Sequence, residues 1–186
     1  DGTLLDVSDS RANRRKFGRP SNQTCPGAFP KARVLSLCEL GTRVLWRSVI
    51  GSYSTSEQTL ALSLLKFLSR GMLLLADRHF GVAPIIYPLL ARRVSFLIRV
   101  KKSQCFLVEK VLSDGSYLST IYIGKNDRRA GRTGKTVRVI RYTHSDPNRT
   151  GYKEMHVLVT SLLDAEKYPA SELANLYHVR WEEEIA

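Results

Sequence analysis

The sequence contains few cysteines, and none of them is placed for a zinc site. There are three cysteines, an odd number, and they are widely spaced at Cys25, Cys38 and Cys105. No Cys-x-x-Cys pair occurs, so a structural zinc site is not indicated. The histidines do not supply a metal-ligand spacing either. This pattern fits reduced thiols in a cytosolic protein better than a disulfide framework.

Long hydrophobic runs are also missing. The apolar stretches are shorter than the roughly 20 residues that a membrane-spanning helix needs, and no signal peptide is visible, so no membrane association is expected. Hydrophobic residues nevertheless make up 43% of the 186 residues, which excludes a disordered chain and is enough for one sizeable core. The chain begins at Asp1 without a methionine and stops within a helical pattern, so we interpret it as a fragment.

Acidic residues are scarce relative to basic ones. The 17 aspartates and glutamates stand against 29 lysines and arginines, for a formal net charge of +12, and this excess favours a polyanionic partner. Two basic groups are predicted to contact nucleic-acid phosphates, with a solvated basic surface or a ribosome-associated protein as the alternatives. The first group, opposed only by Asp127, is Lys125, Arg128, Arg129, Arg132, Lys135, Arg138 and Arg141, and the second is Arg99, Lys101 and Lys102.

Hydrophobic periodicity predicts an α/β domain. Alternating or short apolar segments indicate strands, and a period near 3.6 residues indicates helices. Residues 8–32 carry three prolines and are predicted to form a long loop. The predicted strands cover 1–7, 33–40, 43–50, 72–76 and 95–100, and the predicted helices cover 56–68 and 81–93.

A further set of alternating segments precedes a last helix, which is predicted to begin at Ser171. The strand-like patterns lie at 106–108, 117–123, 136–142 and 155–160, with turns at 113–115 and 131–134. We interpret residues 106–160 as a β-rich insertion within a single domain that covers residues 1–186.

Three acidic residues far apart in the sequence are candidates for one metal site. Asp1 opens the first predicted strand, and Asp77 ends an apolar run. Glu184 shares a helical stripe with Tyr177 and Arg180, at spacings of i, i+3 and i+7. Two-metal phosphoryl transfer needs acidic oxygens around ions about 3.5–4 Å apart, and Mg²⁺ prefers such hard ligands. The pattern therefore suggests a metal-dependent polynucleotidyl transferase.

Strand pairing can bring two of these acids together. If the first three strands form a meander, the strand at 72–76 can lie parallel to the first strand, which places Asp1 and Asp77 on adjacent strands near the last helix. Each acid also has an ordinary interpretation, as a frayed terminus for Asp1, a turn cap for Asp77 and a solvated acidic face for 182–184. A buried packing role is the alternative for Tyr177.

Several segments resemble DDE transposases of the bacterial insertion-sequence-four type. Asp1-Gly2-Thr3 is similar to the first-aspartate strand of that group, and residues 74–80 are similar to its second-aspartate segment. Residues 17–20 and 27–30 resemble the loop that follows its first strand. The resemblance covers essentially the whole chain, in order, and the combination of segments is more specific than any one of them.

The last helix carries the remaining part of the resemblance. Tyr177, Arg180 and Glu184 match the Tyr-x2-Arg-x3-Glu-x6-Lys signature of the group, whose lysine would fall beyond the last residue. The resemblance implies a ribonuclease H-like mixed sheet flanked by helices, with a β-rich insertion before the last helix. It also implies that Asp1, Asp77 and Glu184 are a catalytic triad that binds Mg²⁺, with Mn²⁺ as a substitute.

The resemblance further implies a DNA transposase that cleaves strands at insertion-sequence ends and transfers them into target DNA. Tyr177 and Arg180 are then DNA contacts, and a homodimer holds the two ends in a bacterial cytoplasmic, nucleoid-associated complex. The basic side chains predicted to grip the DNA backbone are Lys125, Arg128, Arg129 and Arg132. A ribonuclease H-like nuclease with another DNA substrate, or an inactive or domesticated DNA-binding relative, is the alternative, and the activity of the fragment alone stays open.

Overall fold

The computed structural model describes residues 2–20, 27, 29–124, 126–143 and 152–184, apart from the side chains of 181–184. The chain divides into two compact units, residues 1–67 and 68–186. Each unit has a β-sheet of its own.

The sheet of the first unit is an antiparallel meander. Its strands follow the order β1-β2-β3, and Leu4 is opposite Arg33 while Val34 is opposite Ile50. Two helices and a short 3-10 turn at Leu65–Phe67 are the other regular elements among its described residues. The elements are β1 (Gly2–Asp6), α1 (Arg11–Phe17), β2 (Lys31–Glu39), β3 (Val44–Ser52) and α2 (Glu57–Leu64).

The segment predicted as a loop over 8–32 contains the helix α1, so that part of the prediction is wrong. Ser10 caps the helix, because its Oγ accepts a hydrogen bond from the Asn13 backbone N at 3.1 Å. Gly18 ends the helix with a φ of 77°, a backbone conformation that favours glycine. The prolines that suggested a loop all follow this glycine.

The helix α2 agrees with its prediction. Ser56 is the N-cap, with its Oγ accepting from the Thr59 backbone N at 3.1 Å. Leu60 and Leu64 lie on the predicted apolar stripe and are buried. Capping and periodicity were both readable from the sequence because they depend only on residues close together in the chain.

The second unit is built on a mixed sheet with the strand order β4-β5-β9-β8-β7-β6. Strands β4 and β5 are parallel, and the other pairs are antiparallel. A helix connects the parallel pair, as a βαβ crossover requires, and Pro84 is accommodated near its start. The elements are β4 (Leu73–Ala76), α3 (Ala83–Ala91), β5 (Ser95–Arg99), β6 (Lys110–Val111), β7 (Tyr117–Ile121), β8 (Lys135–Tyr142), β9 (His156–Thr160) and α4 (Ala170–Glu184).

The fold class predicted from the sequence is confirmed. The chain is mixed α/β, with a mixed sheet flanked by helices that is consistent with a ribonuclease H-like transposase fold. The β-rich region continues the sheet directly, because β9 pairs with β5 opposite Leu97–Arg99. The strand predicted at 106–108 is wrong, and the short strand β6 lies at Lys110–Val111 instead. The limits of an insertion over 106–160 stay a prediction.

The predicted pairing of the first strand with the strand at 72–76 is not found. Strand β1 pairs with β2, and β4 pairs with β5. Among the described residues the two strands belong to separate sheets, one in each unit, and the convergence of Asp1 with Asp77 stays a prediction. Both strands pair instead with the next strand along the chain.

The core of the second unit joins the sheet to its last helix. Leu173 and Tyr177 of α4 pack against Leu97, Ile140 and Leu158 of three neighbouring strands. All five side chains are almost completely buried, and α4 is thereby fixed on one face of the sheet. Within the described part of the chain, no helix combines the length and apolar character needed to cross a membrane.

Candidate active site

Asp77 lies immediately after β4, at the carboxyl end of the parallel strand pair. Its Oδ1 accepts a hydrogen bond from the His79 backbone N at 2.6 Å, and its backbone O accepts one from the Phe80 backbone N at 3.1 Å. The side chain is partly exposed. This turn fixes the orientation of the carboxylate at the edge of the sheet, where a ligand can reach it.

Tyr177 brings α4 to the same edge. Its hydroxyl donates to the backbone O of Ala76 at 3.2 Å, and its ring has no exposed surface. Because Ala76 is the last residue of β4 and precedes Asp77, this hydrogen bond places α4 beside the candidate carboxylate. The structure thus gives Tyr177 the packing position that the sequence left open as an alternative, and its DNA contact stays a prediction.

The charges of two arginines act on Tyr177. Arg180 is 8% exposed, with its guanidinium carbon 5.4 Å from the centre of the Tyr177 ring. Burial raises the pKa of Tyr177 above its ordinary value and Asp77 adds to this rise, whereas Arg180 and Arg99 lower the pKa. Asp77, Arg99 and Arg180 therefore all influence the pKa of Tyr177, whose hydroxyl contacts the end of β4.

Arg99 reaches this place from the neighbouring strand. Ala76 and Ile98 are the last residues paired between the parallel strands β4 and β5. Asp77 and Arg99 are the residues that directly follow them, so both lie at the same edge of the sheet. The sequence grouped Arg99 with Lys101 and Lys102 as cations that contact phosphates, but it did not indicate that the charge of Arg99 acts on Tyr177. Lys102 forms an ion pair with Glu154 at 2.9 Å, in which both side chains are largely exposed.

An aromatic cluster next to the site was not predicted. The Tyr142 ring stacks on His156 at 5.3 Å between ring centres and meets His178 edge-on at 5.4 Å. Burial raises the pKa of Tyr142 to about 12, with Tyr177 adding to the rise and Arg99 opposing it. The pairing of β8 with β9 places Tyr142 opposite His156. A single sequence does not predict which residues of two strands are paired, so this cluster could not be predicted.

The other two members of the predicted triad are only partly covered. Asp1 lies outside the described residues, and Glu184 is the last residue of α4, with its side chain outside the described part. Among the side chains that the structure does describe, no group of three or more His, Cys, Asp or Glu is placed to hold a metal ion. The structure therefore brings Asp77 and α4 together, and the convergence of the triad stays a prediction.

One described carboxylate of the predicted triad is available to a hard divalent cation. Asp77 offers a partly exposed carboxylate whose orientation is set by one backbone N–H. Aspartate and glutamate oxygens are the ligands that Mg²⁺ prefers, and the ion usually keeps several waters, so it does not need a closed protein cage. Asp77 is thus the described residue that could hold such an ion.

The basic loop between β7 and β8 is organised around one acid. Asp127 Oδ2 accepts from the Gly124 backbone N at 2.6 Å, and Asp127 Oδ1 accepts from Arg132 Nη1 at 2.8 Å. Arg128 and Arg129 are exposed beside this turn. Gly134 lies at the end of this loop, so close to Thr120 that a Cβ at this position would clash with the Thr120 Cγ2.

The basic side chains of this region do not all face solvent. Lys125 lies outside the described residues. Arg132 remains largely exposed although it is paired with Asp127, and Arg141 lies over the Tyr117 ring at 5.4 Å. Arg138 was predicted to contact phosphates, and this is wrong, because it has no exposed surface and is surrounded by protein acceptors.

Comparison with known proteins supplies the family. A model described as a transposase DDE domain matches residues 1–186. The transposase InsG for insertion sequence element IS4 from Escherichia coli is 25% identical over 190 residues, which cover 100% of this chain and 41% of that protein. The chain thus spans about two fifths of this relative's length. The resemblance predicted from the sequence is confirmed, and the chain belongs to the transposase DDE domain family.

Proposed function

We propose that this chain is the catalytic domain of a DNA transposase, which cleaves DNA strands at the ends of an insertion sequence and transfers them to target DNA. The observation that carries the proposal is the meeting of Asp77 and α4 at the end of β4. The Tyr177 hydroxyl reaches the Ala76 carbonyl across 101 residues of sequence. This long-range contact joins the second-aspartate segment to the helix that carries Glu184 in a chain of this family.

DDE transposases generally use divalent metal ions, and we propose Mg²⁺, with Mn²⁺ as a substitute, for this chain. Asp1, Asp77 and Glu184 are the proposed ligands, because they provide hard oxygens. When bound, such ions supply an activated oxygen nucleophile and stabilise the leaving oxygen of phosphoryl transfer. The task of Asp77 is to present a carboxylate of fixed orientation, which the His79 backbone N–H maintains.

The residues of α4 have different proposed tasks. Tyr177 holds the helix against the end of β4 through its buried ring and its hydroxyl. The guanidinium of Arg180 lies against that ring, from where its charge can act on a phosphate brought to Asp77. A cation near the phosphate would add to the charge neutralisation that the metal ions would supply at this carboxylate site.

The DNA backbone is proposed to follow the exposed cations. Arg128, Arg129 and Arg132 lie exposed on the loop between β7 and β8. A half-buried cation, Arg99, follows the last paired residue of β5, Ile98, as Asp77 follows Ala76 on β4. Contacts of this kind position DNA without reading its sequence. Transposon ends and target DNA are the proposed partners, in a homodimer that holds two ends.

The experiment is a comparison of metal binding and DNA cleavage by four forms of this chain. Wild type, Asp77→Asn, Glu184→Gln and Glu183→Gln are titrated with Mn²⁺ by calorimetry and assayed for nicking of supercoiled DNA. Loss of a ligand carboxylate should weaken metal binding by at least about tenfold and abolish nicking, while DNA affinity in the absence of metal persists.

Glu183→Gln is the matched control, because it removes the same charge from the same helix at a different angle about its axis. It should bind Mn²⁺ and nick DNA like the wild type. Normal nicking by Asp77→Asn or Glu184→Gln would refute the triad. A folded wild type that binds DNA without binding metal would instead support a DNA-binding relative that does not cleave.

A further inference from the structure

Arg138 is a buried arginine with an unusually complete set of partners. It has no exposed surface, and burying a charge is costly unless its donors are satisfied. Its Nε donates to Ser116 Oγ at 2.7 Å, and its Nη2 forms an ion pair with Asp114. Its Nη1 donates toward three carbonyl oxygens, those of Leu162 at 3.2 Å, Asp164 at 3.3 Å and Tyr168 at 2.7 Å.

Asp114 extends this network to α4. Its Oδ1 accepts from Ser116 Oγ at 2.5 Å and from the Ser116 backbone N at 3.1 Å. Its Oδ2 accepts from the backbone N of Ala170, the first residue of α4, at 2.8 Å, and also from Arg138. Burial alone would raise the pKa of Asp114, but the hydrogen bonds from Ser116 and Ala170 and the charge of Arg138 lower it overall.

The partners of the pair are concentrated where β9 leads into α4. The three carbonyls that Arg138 contacts belong to the connection between these elements, and the Ala170 N–H begins the helix. A carboxylate at this point also suits the positive end of the helix dipole. The Arg138–Asp114 pair therefore ties β8 and the turn before β7 to the start of α4.

We propose that Arg138 and Asp114 are positioning residues, which fix the start of α4 and thereby place Tyr177 and Glu184 at the candidate active site. The functional part of this inference rests on the proposed transposase function. Net stabilisation is a weaker explanation, because a buried ion pair typically contributes little more than apolar residues of similar volume. What the pair supplies here is a fixed direction for one helix.

The length of α4 makes that direction important. Glu184 is fourteen residues beyond Ala170, which is about 21 Å at 1.5 Å per residue. A tilt of about 10° at the start of the helix would then move its far end by about 4 Å. Misplacement of a reacting group by about 1 Å can lower a rate by about 100-fold. The pair is distant from Glu184 and yet controls where its backbone lies.

Two substitutions test the pair at different strengths. Asp114→Asn keeps the shape of the side chain but removes the charge that compensates Arg138. Ala170→Pro removes the N–H whose hydrogen bond Asp114 accepts and puts the proline Cδ in its place, at the first helical position, where proline is otherwise well tolerated. Val137→Ala is the matched control, because Val137 is the fully buried neighbour of Arg138 on β8 and its truncation loosens the sheet without touching the pair.

All four forms of the 186-residue chain are compared by amide hydrogen exchange and by Mn²⁺ titration under conditions where they are folded. In Ala170→Pro and Asp114→Asn, the amides of α4 should exchange about tenfold faster or more, since a hydrogen bond to a charged group contributes at least that factor. Mn²⁺ affinity should fall by about tenfold, as for other residues that orient a metal ligand. Val137→Ala should leave both the α4 exchange rates and the Mn²⁺ affinity near their wild-type values.

Unchanged exchange of α4 in Ala170→Pro overturns the inference, even if Asp114→Asn fails to fold. Equal loosening of α4 by Val137→Ala overturns it as well, because the effect would then be one of general stability. Faster exchange with unchanged Mn²⁺ affinity, in a chain whose wild type binds Mn²⁺, refutes the link to the site. A wild type that binds no Mn²⁺ counts against the proposed function, whereas the exchange comparison still decides whether the pair fixes α4.

Discussion

Replacing Tyr177 by phenylalanine separates a packing role from a DNA contact. The ring is completely buried, and its hydroxyl donates to the Ala76 carbonyl at 3.2 Å. Phenylalanine keeps the ring and removes that one hydrogen bond, which should lower the free energy of unfolding of the second unit by about 1 kcal/mol. Tyr177→Ala also leaves a cavity among Leu97, Ile140 and Leu158, and should cost about 3–5 kcal/mol.

The assay has two parts, because stability and DNA affinity must be read separately. Amide exchange at Leu158 and Val159, both in the buried strand β9, reports the opening of the second unit. DNA affinity is measured at several salt concentrations. If Tyr177 acts by packing, Tyr177→Phe accelerates exchange about fivefold, as a loss of about 1 kcal/mol predicts, and leaves both the affinity and its salt dependence unchanged.

The opposite result would refute the reasoning. Wild-type exchange together with a tenfold loss of DNA affinity would mean that the hydroxyl contributes nothing to the core and binds DNA instead. The ring would then have to leave its buried position when DNA binds. The DNA contact predicted from the sequence would stand, and the packing role proposed from the structure would not.

Two further predictions concern charge. Arg128→Ala and Arg129→Ala should each weaken DNA binding and reduce the slope of log affinity against log salt by about 0.9. The control is Lys167→Ala, which removes an exposed cation before α4 and should leave the slope unchanged. Equal effects from all three substitutions would mean that the DNA does not contact the loop between β7 and β8 specifically. The hydrogen bonds and charges of Arg14 and Arg19 hold the pKa of Asp9 at about 2, below its ordinary value of 3.8. The stability that Asp9 contributes is therefore present above pH 3.8 and is lost as the pH falls toward 2. Carboxyl NMR should find this low pKa in the wild type and a higher one in Arg14→Ala, and equal values in both would contradict the pairing.

The order of elements could be predicted because its signals are local. Alternating or short continuous apolar segments indicated β1 to β5, and the Ser56 cap marked the start of α2. The loop predicted over 8–32 failed for a reason that is also local. Proline is a strong marker of irregular structure, and three prolines outweighed a short helix whose cap, Ser10, and final Gly18 were both in the sequence.

Arg138 could not be placed from its sequence neighbourhood. It stands between Lys135 and Arg141 in a dense basic run, which is usually a solvated surface. Its burial depends on acceptors from Asp114, Ser116 and the 162–168 connection, which reach it only through the fold. The aspartate that compensates it was visible in the sequence only as part of a predicted turn, so neither half of the pair indicated the other.

The stripe on α4 shows how a local pattern and a long-range contact complete each other. Helical spacing puts Tyr177, Arg180 and Glu184 on one side of the helix, but it does not say what that side faces. The structure supplies the answer for the first two, because Tyr177 and Arg180 are both buried and Tyr177 is bonded to the end of β4. A rigid helix keeps one axis, so the contact at Ala76 also affects where the backbone of residue 184 lies, two turns further along α4. The proposed triad therefore depends on a tyrosine that need not touch either metal or DNA.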